Sequence, residues 1–134
     1  MKESPEGGKR AKFFEEPLSD QSVNTGMDTC LVCSIHEDWL TVENIPKYFY
    51  FFLNDEPLNH KNEFTVEVNP LGHEEIHFSL INKEFEMIYD TKMGNLKIFL
   101  TGASSSSAGV LKVRCVNDVG EFDETSCNLK ILGR

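Results

Sequence analysis

Two histidines and four cysteines are the residues whose types and spacing invite chemistry. His73-Glu74-Glu75-Ile76-His77 satisfies His-Glu-x-x-His, a pattern that on a helix sets two imidazoles on one face around zinc, with the glutamate as base. A helix is disfavoured here. Pro70 and Gly72 crowd the N-terminal side, Phe78-Ser79-Leu80 alternates as a strand does, and no histidine follows to act as third ligand. On a strand the two imidazoles share a face but stand about 13 Å apart, too far for one metal. The expectation is a pair of solvent-facing histidines on a hairpin, with no metal, no cofactor and no catalytic residue.

The cysteines fall as Cys30-x-x-Cys33, Cys115 and Cys127. Residues i and i+3 of a strand point to opposite faces, so Cys30 looks outward and Cys33 inward. A hairpin turning near Val119 puts Cys115 opposite about residue 123 and leaves Cys127 roughly 13 Å further along the strand pair, beyond disulfide reach. Cys33, Cys115 and Cys127 are read as small buried apolar residues. No Ser/His/Asp arrangement, glycine-rich phosphate loop or convergent carboxylate pair occurs at recognisable spacing. The chain reads as a non-enzyme.

The elements that position these residues must come from 134 residues, 40% apolar and 26% charged, the composition of one globular domain. A chain of this length buries about two thirds of the surface its unfolded form exposes, so its core needs no metal or disulfide. The net charge of −9 repels phosphate backbones and anionic lipid, which argues against nucleic acid and membrane surfaces as partners. No apolar run reaches the ~18 residues of a spanning helix, and Met1 to Gly8 lacks a secretory apolar core, so the expectation is a soluble chain that is not exported. None of the ten asparagines sits in Asn-x-Ser/Thr.

Residues 1–12 hold four basic residues against Glu3 and Glu6, with Pro5, Gly7 and Gly8, and read as a flexible basic leader or linker. Residues 13–134 form the domain. Its signal is alternation at period two in short runs separated by turn residues, the pattern of an antiparallel all-β domain. Thr29, Leu31, Cys33 and Ile35 share one face of a strand, and Phe49, Phe51 and Leu53 share a face of an aromatic-rich one. Asn54-Asp55 turns the chain. Phe64, Val66 and Val68 alternate before the turn Asn69-Pro70-Leu71-Gly72, and Ile76, Phe78 and Leu80 follow. Two runs flank Lys92-Met93-Gly94-Asn95. Leu111, Val113 and Cys115 then precede the turn Asp118 to Glu121, and Cys127, Leu129 and Ile131 close the chain. Seven or more short strands imply a sandwich.

Phe14-x-x-Pro17-Leu18-x-Asp20-x-x-Val23-x-x-Gly26, followed by Leu31 and Cys33, resembles the A, A′ and B strands of an I-set immunoglobulin domain of the kind found in titin, twitchin, obscurin, palladin and myosin-binding protein C. Ala108-Gly109-Val110-Leu111-Lys112-Val113-Arg114-Cys115-Val116-Asn117-x-x-Gly120-Glu121 resembles that family's strand F and F–G turn. Phe85 to Leu100 matches strands D and E more loosely. By this alignment Phe51 stands in place of the core Trp, Leu111 in place of the corner Tyr and Val113 in place of the second disulfide Cys. All three are apolar, so pattern and volume are kept while a cross-link is lost. Cys33 bridging Cys115, one inward position from Val113, stays open.

The resemblance implies an immunoglobulin-like β-sandwich of the I-set without its inter-sheet disulfide, with a core of Cys33, Phe51, Leu96, Leu111, Val113 and Leu129. The segment Asn59 to Lys83 is longer than the usual C–D connection. It is either an extra hairpin extending one sheet edge or an enlarged C′ strand with a long D strand. His36 to Pro46 forms an extended B–C loop containing Trp39, and Ser104 to Ser107 falls in the E–F loop as a flexible polar stretch. The implied function is that of a non-catalytic module of a larger multidomain chain in a cytoplasmic cytoskeletal or muscle protein of the sarcomere, a spacer and protein-binding surface. The alternative is an extracellular adhesion or receptor domain. Binding is expected at exposed sheet edges, at the inserted segment, or at the F–G turn with Asn117, Asp118, Gly120 and Glu121. The acidic body favours a basic partner.

Overall fold

Alternating apolar residues become strands wherever a second layer can cover one of their faces. The computed structural model describes residues 9–41 and 43–133. The strands are β1 (Lys9–Arg10), β2 (Phe14–Glu16), β3 (Gln21–Asn24), β4 (Thr29–Ile35), β5 (Tyr48–Leu53), β6 (Glu56–Pro57), β7 (Asn59–Val68), β8 (Glu74–Leu80), β9 (Phe85–Asp90), β10 (Asn95–Leu100), β11 (Gly109–Val116) and β12 (Glu121–Leu132), with one helical turn, α1 (Glu37–Leu40), after β4. They form two sheets. One runs β1-β12-β11-β5-β6, with β3 also on β12, and the other runs β2-β4-β10-β9-β8-β7.

The facing layers enclose Cys33, Phe51, Leu96, Leu111, Val113 and Leu129, each no more than 2% exposed. Phe51 is paired with Val113 across β5 and β11. Its ring meets that of Phe78 edge-on at 4.9 Å and lies 6.4 Å from Phe49. Burying a side chain of this size contributes on the order of 1.5–3 kcal/mol. Phe78 and Leu80 are themselves buried, so the inserted segment supplies part of the core.

The segment is an extra hairpin: β7 and β8 extend the second sheet beyond β9. Asn54 and Asp55, at φ 52° and 66°, turn β5 into the two-residue β6, the positive-φ geometry that Asn and Asp tolerate. Asn59 then carries the chain from one sheet to the other. Its Oδ1 accepts from the Phe51 N–H at 3.1 Å and its Nδ2 donates to the Phe49 carbonyl at 3.0 Å, continuing the edge ladder of β5 with a side chain.

Of the leader expected over residues 1–12, only the last four residues are described. Its first eight residues lie outside the described ones, but Lys9 and Arg10 pair in parallel with Glu121 and Phe122, and the Ala11 N–H donates to the Phe122 carbonyl at 2.7 Å. The N-terminal chain changes sheets twice, from β12 to β4 and back, and each crossing leaves N–H groups that no ladder serves. Side chains of β12 take them. Asp123, 6% exposed, accepts from the Phe13 and Phe14 N–H groups at 2.9 and 3.3 Å and from Arg10 Nε at 3.1 Å, and Thr125 Oγ1 accepts from the Leu18 N–H at 2.9 Å.

The loop from His36 to Pro46 is partly helical. His36 caps α1, its Nδ1 accepting from the Asp38 N–H at 3.1 Å, and the Trp39 ring meets Phe13 edge-on at 4.6 Å.

Candidate functional site

The β7–β8 hairpin leaves the sandwich with one layer. Its turn is organised by Asn69, whose Oδ1 accepts from the Leu71 and His73 N–H groups at 2.9 and 3.0 Å, and whose N–H donates to the His73 carbonyl at 2.9 Å. With 69 and 73 hydrogen-bonded, antiparallel alternation makes 67/75 and 65/77 bonded pairs as well, in the observed register. Phe64, Val66 and Val68 are the alternate residues. Their backbone N–H and C=O groups point away from β8, to the free edge of the sheet.

The same three residues carry the inner face. Phe64 is opposite Phe78 and Val66 opposite Ile76, which continues the core surface of β8 outward. The other sheet ends at two-residue β6 and does not reach over them, so Phe64, Val66 and Val68 are 45%, 52% and 69% exposed. Between this shelf and the start of β5 lies an apolar cleft of about 410 Å³ bordered by Ile45, Pro46, Tyr48, Phe49, Phe64, Ile76 and Tyr89. Burial raises the Tyr89 hydroxyl pKa. That group has no hydrogen-bond partner among the described residues.

The outer face of the hairpin holds the histidines. Glu74 to His77 is strand, and His73 immediately precedes it. Neither imidazole is solvent-facing as expected, since their side chains are only 16% and 22% exposed. His73 Nδ1 lies 3.0 Å from Asp90 Oδ2, whereas His77 Nε2 lies 3.4 Å from Glu75 and 3.8 Å from Glu67. The rings lie beside different carboxylates, and His73 alone is hydrogen-bonded to one: His77 Nε2 has no hydrogen-bond partner among the described residues. Burial of Asp90 works to raise its pKa, but the Met93 and Lys92 N–H groups and His73 outweigh it and hold the carboxyl below its ordinary value. Among the described residues, no three His, Cys, Asp or Glu side chains converge to hold a metal.

All four cysteines are free thiols, with Cys30 exposed and Cys33, Cys115 and Cys127 buried. Cys115 pairs with Asp123 and Cys127 with Leu111 across β11 and β12, and the pairing of Cys33 with Cys115 left open by the sequence is not made. Burial, then the nearby Cys127, pushes the Cys33 thiol up to about 12, and burial also raises Cys115. These are packing residues, not nucleophiles.

The β11–β12 turn is less available than expected. Asn117 is 1% exposed, because its side chain builds the turn: Oδ1 accepts from the Val119 and Glu121 N–H groups, and Nδ2 donates to the Asn44 carbonyl and to Glu121 Oε1. A surface role for Asn117 is therefore corrected to an internal one. Asp118, Gly120 and Glu121 are half-buried. Asp118 accepts from Lys47 Nζ at 2.5 Å and the Tyr48 hydroxyl at 2.9 Å, so its charge is answered within the molecule.

Nor is the serine run flexible in the manner expected. Ser105–Ser107 makes a 3-10 turn, and Glu84 accepts from the hydroxyls of Ser107 at 2.6 Å, Ser104 at 2.9 Å and Ser106 at 3.4 Å. The Ser107 bond chiefly lowers the Glu84 pKa. Sequence reasoning missed Glu84, Asn59 and Asp123, each a polar residue whose side chain ties it to a different element of the fold.

Two sheets packed with this strand order, β12-β11-β5 facing β4-β10-β9, define an immunoglobulin-like β-sandwich, in which no inter-sheet disulfide is seen. Solved structures agree on the fold. The N-terminal Ig1-2 module of the Drosophila receptor protein tyrosine phosphatase DLAR is similar over 90% of this chain, with a TM-score of 0.55 and 14% identity, and the chain spans 48% of that two-domain structure. The first immunoglobulin domain of Dpr1, solved bound to that of DIP-eta, matches with a TM-score of 0.59 and 10% identity, over 90% of this chain and 95% of the other. A structure from work on multimeric cell-adhesive interactions of VGSC beta subunits matches with a TM-score of 0.57 and 15% identity, over 93% of each chain. No protein-family model matches the sequence, and neither does any curated protein.

Proposed function

We propose that this chain is a non-catalytic immunoglobulin module, one part of a larger chain, that binds other proteins. The observation that carries the reading is the edge of β7, where backbone hydrogen-bonding groups and the side chains of Phe64, Val66 and Val68 are exposed together. Sheet edges of this kind are templates for pairing with another chain. The chemistry-bearing residues support no competing reaction, since the two histidines lie beside separate carboxylates without converging on one point and burial keeps the Cys33 thiol protonated.

For its setting we favour a reducing compartment, cytoplasmic and of the cytoskeletal or sarcomeric kind that the I-set resemblance implies. A core in which Val113 stands where a bridging cysteine would, with four free thiols, suits a place where disulfides do not persist. The second reading, an extracellular adhesion or receptor domain, draws on the neighbours, among them a receptor phosphatase module and a structure studied for cell-adhesive interactions. Thiol titration of the protein purified without reductant from its native source, then denatured, separates the two. Four reactive thiols are expected, and a bridged pair would move the module outside the cell.

A further inference from the structure

We propose that the free edge of β7 receives an added strand from a protein partner whose sequence alternates apolar and basic residues, with two Lys or Arg four positions apart. The inference rests on the module reading above and gives that site its ligand. An added strand continues the pleat of β7, so its side chains fall on the same two faces. On the inner face they meet Phe64, Val66 and Val68, 45%, 52% and 69% exposed, and extend the apolar shelf that leads into the cleft beside Phe49 and Ile76. Apolar residues belong there.

On the outer face the added strand meets Thr65 and Glu67, both exposed, and exposed Glu63 stands just before the regular register begins at Phe64. Glu67 has a side-chain exposure of 65%, and among the described residues the basic group beside it is His77, at 3.8 Å. Two exposed carboxylates four positions apart along this edge call for two cations at the same spacing, because opposite charges across a strand pair stabilise it and like charges oppose it. A second copy of this chain is the poorer occupant. It brings the same acidic row to the edge together with its own net charge of −9, a repulsion that a basic strand replaces with attraction. Backbone pairing is available at three residues, Phe64, Val66 and Val68, whose N–H and C=O groups face outward in the observed register.

The test is fluorescence anisotropy with labelled, end-capped peptides: Val-Lys-Val-Thr-Val-Lys-Val, the same composition with alternation scrambled, and the Glu-for-Lys analogue. Saturable binding is expected for the first alone, weakening as salt is raised. Val66→Pro, which removes an outward N–H without touching the β7–β8 ladder, should abolish it. Should that variant fail to fold, Glu63→Lys with Glu67→Lys, both at exposed positions, carries the test by reversing the preference toward the Glu peptide. Equal binding of all three peptides, or binding unchanged in the charge-reversed protein, overturns the proposal, as does concentration-dependent self-association through β7 in sedimentation with no peptide bound. A partner held elsewhere and indifferent to all these substitutions overturns strand addition while leaving the module reading in place.

Discussion

Val113 and Val66 sit in strands of the same alternating kind and end in opposite surroundings. Val113 is 0% exposed beside Phe51, with both sheets present, whereas Val66 is 52% exposed on a hairpin that the other sheet does not reach. The contrast shows that alternation makes a strand but not a core. What decides burial is whether an opposing layer exists, and here the first sheet stops at the two-residue β6 while the second continues through β8 to β7. The first region holds the fold together without a cross-link, and the second is left uncovered by the facing sheet.

Substitutions sharpen this division. Phe51→Ala removes a fully buried ring packed on Phe78 and Phe49, and the loss expected in chemical denaturation is about 3–5 kcal/mol. If that variant unfolded at nearly the wild-type denaturant concentration, the bridge-free core would not be what holds the sheets. A smaller pair of effects comes from making one exchange in both regions. Val113→Thr buries a hydroxyl among apolar side chains at a cost of about 1–3 kcal/mol, whereas Val66→Thr should change stability by no more than about 0.5 kcal/mol. Equal costs at the two positions would erase the comparison.

Much of the first region is legible in the sequence, because its determinants are local. Alternation places Cys33 inward and Cys30 outward, and counting from the turn near Val119 puts Cys115 opposite residue 123, the pair observed. What escapes is whatever depends on side-chain hydrogen bonds and ion pairs, which alternation does not encode. Arg10 is assigned to a leader because its partner Asp123 lies 113 residues away. Asn117 is read as surface because polar turn residues usually are, yet its side chain closes its own turn and is buried by doing so. His73 and His77 lose solvent to Asp90 and Glu67, which strand pairing brings near, and His77 also to Glu75 two residues before it on β8. Phe64, Val66 and Val68 are legible as one face of a strand. Their exposure is not, since it follows from where the facing sheet ends.

β7 is a free edge, and its outward backbone groups belong to Phe64, Val66 and Val68. Amide hydrogen exchange measured residue by residue by NMR on the uncomplexed protein tests it most directly. Slow exchange is expected at Thr65 and Glu67, whose N–H groups bond β8, and at Val113 in the centre of the sandwich. Fast exchange is expected at Phe64, Val66 and Val68. Protection of those three amides equal to that of Thr65 and Glu67 would mean that the edge is already paired and not free.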